Sequence, residues 1–144
     1  MKNYLKLSFL LIASVFLTGC GNGNIQLTGK VTFSDDGSPL TVGAVCFEND
    51  TVRARGILTE DGTYRVGTKS KTDGIPAGTY KVSIMGAIKS IGRTEIRGPG
   101  GQTAAGMGQV EPLIDPKYTG ANTSGLTVTV DRTKATYDIQ VDRP

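Results

Sequence analysis

The chain of 144 residues has no histidine, no tryptophan and only two cysteines, and each shortage excludes a class of chemistry. Without imidazole there is no His-based catalytic triad, no His-Glu zinc site and no imidazole general base. Two cysteines, Cys20 and Cys46, cannot build a disulfide framework if either has another task. Charge of one sign is also missing. Formal net charge is +3, and with Lys2 and Lys6 set aside as part of a leader, 14 basic residues face 13 acidic ones. That balance makes no electrostatic case for nucleic acid. No Asp-x-Asp-x-Asp-Gly series offers a calcium loop and no Gly-Lys-Ser or Gly-Lys-Thr offers a phosphate loop, so no metal and no cofactor is expected. Long apolar runs are absent after residue 17.

What precedes that point is informative. Lys2 and Lys6 lead an apolar run from Leu7 that closes on Leu17-Thr18-Gly19-Cys20. A spanning helix needs ~20 apolar residues, and this run meets the polar Gly21 to Asn24 too soon. A positive start, a short apolar run and small residues before a break are the parts of a secretory signal peptide. Thr18 and Gly19 suit a peptidase cleft, and Cys20 offers a thiol for thioether attachment of diacylglycerol. Residues 1–19 are therefore read as a lipoprotein signal and residues 20–25 as a lipidated cysteine with a short tether. The expected location is outside the cytoplasm, held to a bacterial membrane by lipid. Gly21 is not the acidic residue of an inner-membrane retention signal, which leans the destination towards the outer membrane or cell surface. Cys46 is then a lone thiol, read as a small residue on a strand surface.

From Gln26 the pattern alternates with the two-residue period of half-buried strands. Leu27, Gly29, Val31 and Phe33 should face one way, followed by turn residues Asp35 to Pro39. A second strand is predicted over Ala44 to Glu48, with Val45 and Phe47 inward. Ala54 to Thr59 and Thr63 to Val66, joined through Glu60-Asp61-Gly62, read as a hairpin. Tyr80, Val82 and Ile84 mark the inner face of a strand over Thr79 to Met85, with Lys81 and Ser83 outward. Leu126 to Val130 and Tyr137 to Val141 close the set. About seven short strands with no helix of useful length define an all-β fold, a Greek-key β-sandwich over residues 26–144. Gly86 to Pro112 breaks the rhythm and reads as a long, flexible, Gly-rich loop with room for a short ribbon at Ile91 to Ile96.

These strand and turn residues carry a resemblance. Gly29-Lys30-Val31-Thr32-Phe33, Gly37-Ser38-Pro39-Leu40, Thr59-Glu60-Asp61-Gly62-Thr63-Tyr64 and Pro76-Ala77-Gly78-Thr79-Tyr80-Lys81-Val82 resemble the carboxypeptidase regulatory-like domain. The closing Ile114-Asp115-Pro116-Lys117-Tyr118 and Thr123 to Val128 are similar to small bacterial lipoproteins that carry this domain alone. The likeness spans nearly all of the chain after the tether except the Gly86 to Pro112 stretch. It implies a seven-stranded transthyretin-like, or prealbumin-like, sandwich serving as an accessory or structural module. It does not bring carboxypeptidase activity, and the transthyretin-fold hydroxyisourate hydrolases rely on histidines that this chain lacks.

The expectation is thus a non-catalytic, membrane-anchored envelope module that binds a protein or glycan, with a small-ligand carrier as the alternative and a purely structural protein as a third reading. Lys89, Arg93 and Arg97 are candidates for meeting an acidic partner. Asp35, Asp36, Glu60, Asp61 and Asp73 are read first as turn residues and only second as oxygen ligands.

Overall fold

The structure is a computed structural model and describes residues 23–70, 73–101 and 103–144. Among these residues, alternation of apolar and polar side chains produces nine strands: β1 (Thr28–Phe33), β2 (Ala44–Glu48), β3 (Arg53–Ile57), β4 (Thr63–Arg65), β5 (Gly78–Met85), β6 (Ile88–Arg97), β7 (Thr103–Pro112), β8 (Leu126–Val130) and β9 (Ile139–Val141). Seven of them form two sheets, in the orders β4-β1-β9 and β3-β2-β5-β8. The chain crosses between the sheets after β1, β3, β4 and β8, which gives the Greek-key wiring of a β-sandwich.

The inner faces are those the two-residue period predicts. Leu27, Val31 and Phe33 of the first sheet meet Val45, Phe47, Tyr80, Val82 and Ile84 of the second, all buried. Phe47 and Tyr64 join the layers directly, with ring centroids 6.0 Å apart. Val128, Val130, Ile139 and Val141 seal the remaining side. Close packing of this kind, with no buried side-chain polar atom left unpartnered among the described residues, gives the sandwich one well-defined interior.

Four details differ from the sequence reading. First, the segments flanking Glu60-Asp61-Gly62 are bonded as a hairpin only at its two ends, Thr59 with Thr63 at 2.9 Å and Arg55 with Gly67 at 3.1 and 3.2 Å, and between those points each strand takes its ladder from another partner. β3 pairs with β2, whereas β4 pairs with β1 through Thr28↔Arg65, Gly29↔Tyr64 and Lys30↔Thr63. The turn is tight, Thr59 N–H donating to Thr63 O at 2.9 Å, but it rotates the chain from one sheet to the other. Second, Ser83 faces outward in register with Cys46 yet is buried, because its side chain is small and β5 is a central strand. Third, Ile25, assigned above to the tether, is buried and exchanges both backbone hydrogen bonds with Ile75, at 2.8 and 3.0 Å.

The fourth difference is the Gly-rich stretch, where the loop is a two-stranded ribbon. β6 and β7 pair antiparallel from Ile88↔Pro112 to Arg97↔Thr103, with register shifts at Ser90/Gly92 and Arg93/Glu95. Bulges of this sort let an irregular sequence keep its backbone paired. The ribbon belongs to neither sheet and is rooted where Leu113 N–H donates to Ala87 O at 2.9 Å.

Candidate functional site

The strand directions give the sandwich two unlike ends. At one end the chain joins at Ile25, beside the loop that starts at Gly67; at the other lie the Asp35–Ser38 turn, the ribbon root and the C-terminus. Leu17, Thr18, Gly19 and Cys20 lie outside the described residues. Of the three ribbon cations, Lys89 is exposed on β6 opposite Glu111, and the backbones of Arg93 and Arg97 pair with Gly108 and Thr103. At ~3.4 Å per residue, four-residue spacing sets them ~13 Å apart along the strand. The strand spaces these cations out instead of gathering them.

The acidic turn residues are capping groups. Asp61 accepts from Thr59 Oγ1, from Thr63 Oγ1 at 2.8 Å and from Thr63 N at 3.1 Å, and these bonds hold its carboxyl down at about 2. Asp73 accepts from Lys69 N at 2.7 Å, Thr68 Oγ1 and N at 2.8 Å and Ser70 N at 3.2 Å. Led by the Lys69 N–H, these donors bring its carboxyl to about 2. Asp36 is lowered to about 2 chiefly by Ser38. Carboxylates pointed at their own backbone are turn chemistry, and among the described residues no group of three potential ligands gathers for a metal. Replacing Asp73 by alanine should free the Thr68 and Lys69 amides. Hydrogen exchange there is expected to speed up roughly tenfold with the sheets unaffected.

Sequence reasoning missed a denser cluster at the ribbon end. Asp142 accepts from Ser34 Oγ at 2.6 Å, from Lys117 Nζ at 2.7 Å and from Tyr118 Oη at 2.9 Å. Lys117, then Ser34 and Tyr118, hold its carboxyl far below the usual carboxylate range, and Asp142 in turn raises the Lys117 ammonium. Arg143 lies over the Phe33 ring at 3.7 Å while its Nε and Nη2 reach Asp35 and Asp36, both at 2.9 Å. Asp115 caps the 3₁₀ turn Pro116–Thr119 by accepting from Lys117 N at 2.9 Å. The signal for this was Ile114-Asp115-Pro116-Lys117-Tyr118, a cap followed by a proline start. The cluster ties the C-terminus to the first turn.

Two recesses open on the outside of the β3-β2-β5-β8 sheet. The larger, of about 620 Å³, is polar and includes Glu48, Asn49, Asp50, Lys81 and Asn122, with Lys81 Nζ 2.7 Å from Asn122 Oδ1. The smaller, about 360 Å³, is floored by Cys46, Ser83 and Met85. Burial pushes the Cys46 thiol up, against a weaker pull from Arg55, so it is not poised as a thiolate.

The architecture these observations define is an all-β, seven-stranded sandwich carrying a ribbon. No family model and no curated protein matches the chain. Among solved structures it is similar to the crystal structure of BcpA*(D312A), the major pilin subunit of Bacillus cereus, at a TM-score of 0.43 and 10% identity over 83% of this chain. It is also similar to a 9R-lipoxygenase from Cyanothece PCC8801, at 0.34 and 15% identity over 86% of the chain. The chain spans 30% of the pilin and 17% of the lipoxygenase. Both superpositions are loose, and the sandwich assignment rests on strand order and burial.

Proposed function

We propose that this chain is a lipid-anchored, non-catalytic protein of the bacterial envelope, in which a carboxypeptidase regulatory-like sandwich holds a protein or glycan partner. The observation that carries the reading is the placement of an acylatable Cys20, after Leu17-Thr18-Gly19, only five residues ahead of Ile25, the first buried residue among those described. A lipidated thiol there ties a folded sandwich closely to a bilayer, since each buried lipid methylene contributes about 0.8 kcal/mol and two or three chains hold firmly. The strand orders β4-β1-β9 and β3-β2-β5-β8 agree with the transthyretin-like arrangement that the resemblance implies. For chemistry, a sequence without histidine has no imidazole base, and the carboxylates that do meet hydroxyls, Asp142 with Ser34 and Asp61 with Thr63, are held below the usual carboxylate range and so are weak bases.

A partner has a natural place to bind. β8, with the sequence Leu-Thr-Val-Thr-Val, pairs on one side only among the described residues, with β5, so its other edge can accept an added strand. The carrier alternative is less favoured, because the interior is filled by Tyr80, Phe47, Leu27 and Ile84, and both recesses lie on the outer surface of a sheet.

Cys20→Ser decides the anchoring. The wild type should partition with membranes and carry a lipid mass on its first residue after cleavage. The serine variant should retain its signal and lose the lipid label. A wild type with an unmodified Cys20 thiol would refute the reading.

A further inference from the structure

We propose that the end of the sandwich where the chain joins is a second membrane contact, a cationic face built from Arg55, Arg65 and Lys69 that sits on anionic lipid headgroups. This deepens the anchoring reading and rests on it.

The backbone places the cations beside the anchor. Ile25 bridges Ile75, Gly74 bridges Gly67, and Gly67 bridges Arg55, so the incoming segment and β3 lie within one continuous run of paired backbone. At ~4.8 Å between neighbouring strands, Ile25 and Arg55 are ~15 Å apart. Arg65 pairs with Thr28, three residues after Ile25, and Lys69 follows Gly67 by two residues; Arg65 and Lys69 are both exposed. Five residues separate Ile25 from Cys20, a reach of at most about 18 Å. An acylated Cys20 therefore brings this end of the sandwich to the headgroups.

Charge distinguishes the two ends. At the ribbon end Lys117 is paired with Asp115 and Asp142 and Arg143 with Asp35 and Asp36, while Lys89 lies on β6 opposite Glu111 with no salt bridge among the described residues. At the anchored end, Arg55, Arg65 and Lys69 form no salt bridge among the described residues. Arg132 and Lys134 add to the same end, on the turn beside Thr28, whose N–H donates to Ala135 O at 3.0 Å. Of the carboxylates there, Glu48 pairs with Arg53, Asp73, Asp131 and Asp138 accept from backbone N–H groups, and Asp50 is exposed on the turn between β2 and β3, so the cations outnumber the anions without being matched to them. Unpaired cations within reach of a bilayer are complementary to an anionic leaflet, each strengthening contact about fivefold. The sandwich then stands with its ribbon and acidic turns directed away from the membrane, and the edge of β8 runs along its side.

The test is lysine footprinting of the acylated full-length product in vesicles, with mass spectrometry reporting both the lipid on Cys20 and the labelling of each lysine. In vesicles of phosphatidylglycerol and phosphatidylcholine, Lys69 and Lys134 should react at least fivefold more slowly than in phosphatidylcholine alone, with Lys89 unchanged. Molar salt should remove the difference. The double variant Arg55→Gln/Arg65→Gln should restore much of the labelling at Lys69, and intact folding is verified by its circular dichroism. Equal labelling in both vesicles with Cys20 acylated overturns the headgroup contact and leaves the anchor standing. Protection by a soluble polyanion but not by the anionic bilayer also overturns it, in favour of a glycan. An unacylated Cys20 overturns the anchoring reading, and this contact with it.

Discussion

Gly29→Ala is expected to destabilise the sandwich by about 3 kcal/mol or more, lowering its thermal midpoint by more than ~10 °C. Gly29 stands in β1 opposite Tyr64 of β4, and a Cβ built on it would lie 1.9 Å from the backbone oxygen of Tyr137 and 2.7 Å from the Tyr64 hydroxyl. The same hydroxyl donates to that Tyr137 oxygen, so one methyl group would enter the space through which β1, β4 and the run into β9 are joined. The obstacle is main chain, which no rotamer change can relieve. Tyr64→Phe should therefore cost less, about 1–2 kcal/mol for a carbonyl left without its donor. Combining Tyr64→Phe with Gly29→Ala should not rescue stability. Gly37→Ala is the contrasting control: its φ is +70° with nothing within 4 Å of the added Cβ, so only the left-handed backbone resists, at about 1 kcal/mol. Denaturation midpoints of the four variants check the order, and a Gly29→Ala protein as stable as Gly37→Ala would contradict the steric account.

That glycine also shows what is legible in the sequence and what is not. The two-residue period places Gly29 on the inner face with Leu27, Val31 and Phe33, and the structure buries all four. Period reports which face a residue takes, because a pleated strand sends alternate side chains to opposite sides. It does not report the neighbour. Tyr64 is predicted to be buried, and is, but its strand takes its ladder from β1 and meets the β3 segment only at the two ends of the expected hairpin, Thr59 with Thr63 and Arg55 with Gly67. Asp61 and Gly62 mark a reversal, and a reversal between two sheets uses the same turn chemistry as one within a sheet. In the Gly86 to Pro112 stretch, glycine lowers the apparent strand preference, yet β6 and β7 need mainly matched backbones to pair. Among candidate site residues, the turn role of Asp61 and Asp73 is readable from local spacing. The cluster on Asp142 is not, since Ser34 precedes it by 108 residues and Lys117 by 25.

Stability should be flat from about pH 5 to pH 9 and fall steeply only as the solution is taken below about pH 4. Nothing in the sequence titrates like histidine, so the middle of the range has no side chain of that kind to change charge. On the acid side the sign follows from the carboxylates. Asp36, Asp61 and Asp73 are held at about 2, and Asp142 lower still, by donors that exist only in the folded chain. A group whose folded pKa is depressed contributes its stabilisation fully above the unfolded value of ~3.9 and loses it as pH drops through the folded value. The loss therefore falls between about pH 4 and pH 2. On the alkaline side Lys117 is raised by its bond to Asp142, so its contribution is complete below the ordinary lysine value and persists past it. Because all of these groups are exposed, molar salt should shrink the part owed to Lys117 and Arg143 and leave the part owed to neutral donors such as Ser34, Tyr118 and Thr63. Asp142→Asn keeps the size of the side chain while removing its charge. Its acid slope should be shallower than that of the wild type, with its midpoint at pH 7 lowered because Lys117 loses its 2.7 Å partner and keeps only Asp115 at 3.7 Å. Thermal midpoints at half-unit pH steps decide the matter, and a wild-type midpoint that moves between pH 6 and pH 8 would show that some other group governs the folded state.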